Sequence, residues 1–373
     1  MAAGNGSQPC LLSVLGVGQS WGEVYHAAMA EILALGVTHY PPLWGPDENM
    51  SWIFRRMLTN PKLPHELKQP PGWPAPARAQ WSDDQGTAEA ARHREAMVAW
   101  FRKTRAALDA FRPDFVLMWG DDQYENFKED VVPPYCLFAY ERFRFATPPG
   151  NVWGETDKAW DIPGHPKAAK MLASCLIEKG FDTAYAYKPL HHPLGHAFTN
   201  AILYLDYDRR GFDYPFVPFA LNCYGRKVLA QRGGLPVFDR EIGAEDWDPP
   251  APSPRRLFDL GAETARILAA SPYRVALIAS SGWSHAFLTP KNHFLWPDSA
   301  ADRRMFDALE RCDWDTWRSL SADAVEDSGQ QEILNWSCLA GAMSALGLKP
   351  QATGFLDTWI FNSTKAFLIA PPA

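Results

Sequence analysis

Three apolar, strand-like runs in this 373-residue chain each break off into side chains that bind metals or move protons. Residues Ile32–Val37 lead into Thr38-His39-Tyr40-Pro41-Pro42, and residues 115–119 into Gly120-Asp121-Asp122-Gln123-Tyr124-Glu125-Asn126. Residues 275–279 lead into Ser280-Ser281-Gly282-Trp283-Ser284-His285. In open α/β sheets ligands bind beyond the carboxyl ends of the strands, where residues remote in sequence meet. Three ends of the same polar character therefore predict one active site assembled by the fold.

The length is enough for one large core, and 47% hydrophobic with 21% charged residues is ordinary globular usage. A formal net charge of −7 argues against a nucleic-acid-binding surface. No apolar run approaches the roughly 20 residues that cross a bilayer. Residues 1–9 lack a basic segment ahead of the apolar 11–17, so the chain reads as cytoplasmic, without a secretory signal. The six cysteines are scattered with no Cys-x-x-Cys pair, which reads as reduced, mostly buried thiols. Sixteen tryptophans and 32 prolines point to ordered loops and to aromatic packing, in the core or at an oligomer interface.

Strand-like and helical segments alternate along the chain. Helical spacing is clearest over residues 84–111, and helices are also expected at 21–30, Trp52–Leu58, 167–179, 262–270 and 331–346. Strands are expected at Ile32–Val37, 115–119, 184–188, 216–222, 275–279, 358–360 and 365–368. Residues 12–17 read as a short strand or a buried turn, and residues 226–254 as a loop. Pro218 suggests that its strand lies near an edge or begins there. This alternation predicts an α/β fold, a three-layer α/β/α sandwich around a central mixed sheet. No linker divides it, so residues 1–373 read as a single domain with a Pro/Trp-rich helical insertion at about 46–108.

Each candidate residue has a plain structural reading beside its chemical one. His39 follows a strand and precedes two prolines that stiffen the backbone, which suits either a neutral imidazole ligand or a hydrogen-bonded structural histidine. Glu332 opens a helix, where the dipole favours an ionised carboxylate. It is either a ligand or an ordinary first-turn acid. His285 leaves a buried strand on a turn, a place for acid–base chemistry or for local hydrogen bonding. Ser281-Gly282-Trp283-Ser284 is not the G-x-S-x-G elbow of a hydrolase. His191-His192-Pro193-Leu194-Gly195-His196 sets three imidazoles in six residues, a metal-binding tract or a substrate-contact loop.

Taken in order, these segments resemble the catalytic subunit of class III extradiol ring-cleavage dioxygenases, the protocatechuate 4,5-dioxygenase type. The resemblance runs over about residues 32–368. It is carried by Thr38-His39-Tyr40-Pro41, Pro113-Asp114-Phe115-Val116, Asp121-Asp122-Gln123, Val131-Val132-Pro133 and Gly164-His165-Pro166. It continues through His196-Ala197-Phe198-Thr199, Val217-Pro218-Phe219 with Asn222, Ser281-Gly282-Trp283-Ser284-His285, Glu332-Ile333-Leu334-Asn335-Trp336 and Gly341-Ala342-Met343. The resemblance implies a non-haem Fe(II) site, with Mn(II) or another divalent metal as the alternative. It implies two histidines and a glutamate on one face of the metal, open positions for a catecholate and O2, and a role in the breakdown of aromatic compounds. By the same resemblance His39 and Glu332 are metal ligands and His285 is the acid–base histidine. His196 contacts substrate or oxygen, with His192 as the runner-up.

One departure stands out. Where the family has its second histidine ligand, this chain has Gln123. Either Gln123 completes an unusual site through its carbonyl oxygen, or a neighbour (Asp122, Glu125 or a histidine of the 191–196 loop) replaces it, or the metal is lost. A ring-opening dioxygenase is the leading reading. The alternatives are a related enzyme with an altered metal site, performing hydrolysis or another oxidation, and a non-catalytic subunit of a dioxygenase complex. The expected partners are a small aromatic substrate and O2, a second copy of the chain, and in some arrangements a small helical subunit. Arg142, Arg144 and Lys188 are candidates to hold a substrate carboxylate.

Overall fold

The computed structural model describes residues 30–236, 238 and 242–372. The expected strand or turn over 12–17, and the helical segment at 21–30 apart from Ala30, lie outside these residues. The strands are β1 Ile32–Val37, β2 Phe115–Asp121, β3 Tyr135–Phe138, β4 Arg142–Ala146, β5 Ala159–Pro163, β6 Ala184–Ala186, β7 Phe216–Leu221, β8 Val275–Ser280, β9 Gly282–His285, β10 Ala352–Leu356 and β11 Ser363–Ala370. Nine of them form one mixed sheet in the order β10-β11-β1-β8-β2-β7-β3-β6, with β9 pairing β11; β4 and β5 form a separate antiparallel pair. Neighbours β1, β8, β2 and β7 are parallel. Such strands are covered on both faces and so read as unbroken apolar runs, which is why they were visible in the sequence.

The two faces follow the two-residue period of a strand. In β2, Phe115, Leu117 and Trp119 join one core, while Val116 and Met118 join the other. The first core is closed by helices Pro166–Glu178, Pro254–Ala269, Ser299–Glu310 and Ile333–Leu346. The second is closed by helices Thr87–Phe111 and His196–Leu205 and by the short Trp52–Leu58. The expected α/β/α architecture is the one found. Among the described residues no helix is long and apolar enough to cross a membrane.

Several boundaries differ from the sequence reading. Strand β2 continues two residues further, through Asp121. The loop expected at 226–254 contains helix Gly225–Ala230, and the helix expected to begin at 262 starts at Pro254. Ser253 caps that helix by accepting from Arg256 N, and a proline at the first position loses no helical bond. Residues 358–360 form a turn rather than a strand. Pro218 sits inside the sheet opposite Met118, not at an edge or a start. It is tolerated because the β3 ladder begins only at Phe219, so no partner requires its missing N–H. Cys136, Cys223, Cys312 and Cys338 are free, but Cys175 is disulfide-bonded, against the reading of all six as thiols. Proximity in space decides such pairing, and sequence spacing does not carry it.

Trp119, Trp283, Trp317 and Trp336 are completely buried and pack the first core. Helices Pro254–Ala269 and Ile333–Leu346 approach closely through two glycines. A Cβ on Gly261 would lie 1.9 Å from Cys338 O, and one on Gly341 1.9 Å from Phe258 O. Gly261→Ala is therefore expected to destabilise the protein by about 1–3 kcal/mol, the usual cost of overpacking, read as a lower urea midpoint. An unchanged midpoint would mean that the two helices can separate freely.

Candidate active site

The carboxyl ends of β1, β8 and β2 lie side by side, and the polar residues that follow them converge there. His39 comes two residues after β1, Ser280 and Asp121 close β8 and β2, and His285 closes β9. Glu332 immediately precedes helix Ile333–Leu346, His196 opens helix His196–Leu205, and Tyr224 precedes helix Gly225–Ala230. All but His196 are buried.

The hydrogen bonds fix which nitrogen of each imidazole faces the centre. His39 Nδ1 lies 3.1 Å from Ser280 Oγ, and the Ser280 hydroxyl donates its only hydrogen to Ala197 O at 2.8 Å. Ser280 must therefore accept from His39 Nδ1–H, which leaves Nε2 as a bare lone pair. That lone pair faces Glu332 Oε2 at 3.3 Å and Asp121 Oδ1 at 3.8 Å. His285 repeats the arrangement. Its Nδ1 donates to Trp283 O at 2.7 Å, and Nε2 faces Glu332 Oε1 at 3.2 Å. Glu332 also accepts from Gly282 N at 2.8 Å and from the Tyr224 hydroxyl. Asn335 Nδ2 approaches Asp121 Oδ1 at 3.3 Å, while Asp121 Oδ2 makes no hydrogen bond among the described residues.

Burial dominates the acid–base state. It holds His39 well below the usual histidine range, helped by His196 and His285, and pushes His285 down to about 3. It pushes Asp121 up to about 6, and burial together with the Asp121 charge drives Glu332 well above the carboxylate range. His196 goes the other way. Burial opposes its charge, but the carboxylates of Glu125, Asp121 and Glu332 raise it to about 10. Glu125 Oε2 accepts from both His196 N and Nδ1, each at 2.9 Å, and so orients the ring. The His196 ring meets that of His39 edge-on at 5.0 Å.

Of the residues expected from sequence, His39, His196, His285 and Glu332 are brought together, but Asp122 and His192 are not. The reason is the length of β2. Its alternation carries Asp121 to the face of Trp119 and sends Asp122 to the opposite side, where its carboxylate accepts from Asn126 N at 2.8 Å and Phe127 N at 3.3 Å. His192 is exposed and contributes only its carbonyl, to Asn126 Nδ2. Gln123 does line the cavity, but its Nε2 donates to Gly233 O at 2.6 Å and its Oε1 lies 3.4 Å from the Tyr224 hydroxyl. Arg142 and Arg144 pair with Asp161 on the β4–β5 hairpin, and Lys188 is exposed; none of the three lines the cavity. Asp121 and Tyr224 were not singled out as site residues, and Glu125 was weighed only as a replacement metal ligand, whereas it orients His196. Extending the β2 alternation by two residues would have found Asp121.

His39, Asp121 and His196 each offer a ligand atom, and these atoms lie within 4.8 Å of one another, with Glu332 against His39. Imidazole lone pairs facing buried carboxylates, with one carboxylate oxygen unpartnered, are a donor set that fits a divalent cation. The Gln123 amide pins the turn at Gly233, whose φ is +70° and which lies hard against the Gln123 backbone. Gln123→Ala should speed amide hydrogen exchange at Gly233 and Gly234 while leaving β2 protected. Unchanged exchange would show that something else holds the turn.

No family model matches the chain. Its curated relatives are dioxygenases. One from Burkholderia vietnamiensis, named 2,3-dihydroxyphenylpropionate/2,3-dihydroxicinnamic acid 1,2-dioxygenase, is 28% identical over 66% of this chain and 80% of its own length. A protein of the same name from Paraburkholderia phymatum is 29% identical, with the same coverage. A third, from Pseudomonas putida, is 27% identical over 56% of this chain and only about half of its own length, 53%. The chain is thus similar to dioxygenases of the extradiol kind, and these relatives are named for a dihydroxyphenylpropionate substrate rather than for protocatechuate.

Proposed function

We propose that this protein is a metal-dependent extradiol dioxygenase that opens a catecholic ring with O2, as a catalytic chain rather than a silent subunit. The observation that carries the reading is the meeting of His39 Nε2 with the carboxylates of Glu332 and Asp121 at the end of a cavity lined by His39, Glu332, His285 and His196. In this reading His39, Glu332 and Asp121 hold the metal, and Asp121 does the work that the sequence reading had left to Gln123, Asp122, Glu125 or a histidine of the 191–196 loop. Non-haem iron in the ferrous state is the metal that suits this chemistry, and when bound it would supply the electron transfer between the diol and O2.

The chain's own groups have separable tasks. His285 keeps a bare Nε2 placed to accept a hydrogen bond from a substrate hydroxyl as its proton leaves, and Trp283 O keeps the ring from turning. His196, held through Nδ1 by Glu125, presents its Nε2–H as a hydrogen-bond donor to substrate oxygen. The Tyr224 hydroxyl and Gly282 N fix the Glu332 carboxylate, so that its orientation does not depend on the ligand.

Metal analysis and O2 uptake test this. The protein purified without oxygen should carry about one divalent iron per chain and consume O2 with a catechol. His39→Ala and Asp121→Asn should lose the metal, whereas Gln123→Ala should keep it. His285→Gln should keep the metal and lose roughly 10²–10⁴-fold in kcat. Full metal content in both His39→Ala and Asp121→Asn would sink the ligand assignment. A wild-type chain that takes up no divalent metal would sink the enzymatic reading.

A further inference from the structure

We infer that the diol substrate carries an uncharged, apolar substituent and not a carboxylate. The inference rests on the ring-cleavage reading above and concerns the rest of the same cavity. That cavity holds about 300 Å³, at the small end of ligand pockets, enough for one ring with a short side group. Away from the histidines and Glu332 the lining includes the uncharged polar Gln123, Asn362 and Ser363, and an apolar wall of Trp52, Ile53, Leu235 and Phe287. These come from three segments fastened to the catalytic groups. The Phe287 ring meets the His285 ring edge-on at 5.6 Å, helix Trp52–Leu58 packs against Ala286–Leu288, and Leu235 follows the Gly233 turn that Gln123 holds.

Among the described residues no lysine or arginine lines this wall. Among the described residues the nearby cations lie off this wall. Lys365 is buried behind the wall, its Nζ donating to Phe361 O at 2.9 Å and to Ser363 O and lying 3.6 Å from the centre of the Tyr40 ring. Arg55 bonds Ser51 Oγ at 2.8 Å and Glu48 O at 2.9 Å. Arg56 is exposed over the Phe238 ring, and Arg232 pairs with Glu129 at 2.7 Å. A substrate carboxylate on this wall would therefore be desolvated against indole, isobutyl and phenyl groups with no lysine or arginine beside it among the described residues, close to the acids Glu125 and Glu332. An alkyl group of the same shape gains from the same surface. The wall thus selects against the acid side chain for which the curated relatives are named.

The test compares two substrates of matched shape on the iron-loaded protein, 3-isopentylcatechol and 2,3-dihydroxyphenylpropionate, by O2 uptake. The isopentyl compound is expected to show a kcat/KM at least about 100-fold higher, the order set by leaving a charge unpaired in such a site. Trp52→Arg, at a rim position that is 43% exposed and so tolerant of charge, should shrink that ratio at least tenfold by giving the carboxylate a partner. Equal or better turnover of the acid by the wild type would overturn the inference while leaving ring cleavage standing. If neither compound supports O2 uptake or binds, the ring-cleavage reading fails, and the inference falls with it.

Discussion

Two carboxylates and two imidazole lone pairs are buried against one another at the end of a parallel sheet. Everything around them is arranged to make that tolerable. Left to themselves such acceptors repel, and in a low-dielectric interior the repulsion is not screened. The protein meets part of the cost by supplying donors. Gly282 N and Tyr224 serve Glu332, and Asn335 Nδ2 serves Asp121 while also bonding Ser280 O at 3.1 Å. The remainder, including Asp121 Oδ2, which has no hydrogen-bond partner among the described residues, is what a divalent cation or bound protons would satisfy.

The fold holds this cluster rigidly. The strands that deliver His39, Ser280 and Asp121 are central, parallel and covered on both faces, so their ends cannot fray into solvent as edge strands do. Helix Ile333–Leu346, which presents Glu332, is fixed by close packing. Gly36 leaves room for the Trp336 ring, where a Cβ would lie 2.1 Å from it, and Gly341 lets the neighbouring helix backbone approach. The indole rings of Trp283 and Trp336 meet edge-on at 5.2 Å beneath the same corner. The abundance of tryptophan is, at these positions, a matter of core packing and not of ligand stacking; Trp52 at the cavity rim is different.

The two ends of the cavity ask for opposite things. The histidine end is polar, hydrogen-bonded and tautomerically fixed, which suits a diol. The Trp52–Phe287 end is apolar and without a cation among the described residues, which suits a hydrocarbon. Gln123 belongs to both. It lines the cavity and uses its amide to brace the turn that carries Leu235 into the wall.

The sequence by itself determined the α/β architecture, because buried parallel strands are unbroken apolar runs and helices have their own period. It also marked His39, His196, His285 and Glu332, each standing at the end of such a run, at the start of a helix, or in a histidine-rich tract. It did not determine which of three consecutive polar residues, Asp121, Asp122 or Gln123, turns toward the centre. A strand's side chains alternate, so an error of two residues in where β2 ends leaves the facing undecided, and only pairing with β7 and β8 sets that end. Tyr224, and the part that Glu125 plays, were not legible for a related reason. Their roles depend on contacts with Glu332 and His196, 108 and 71 residues away in the chain, which no local pattern encodes.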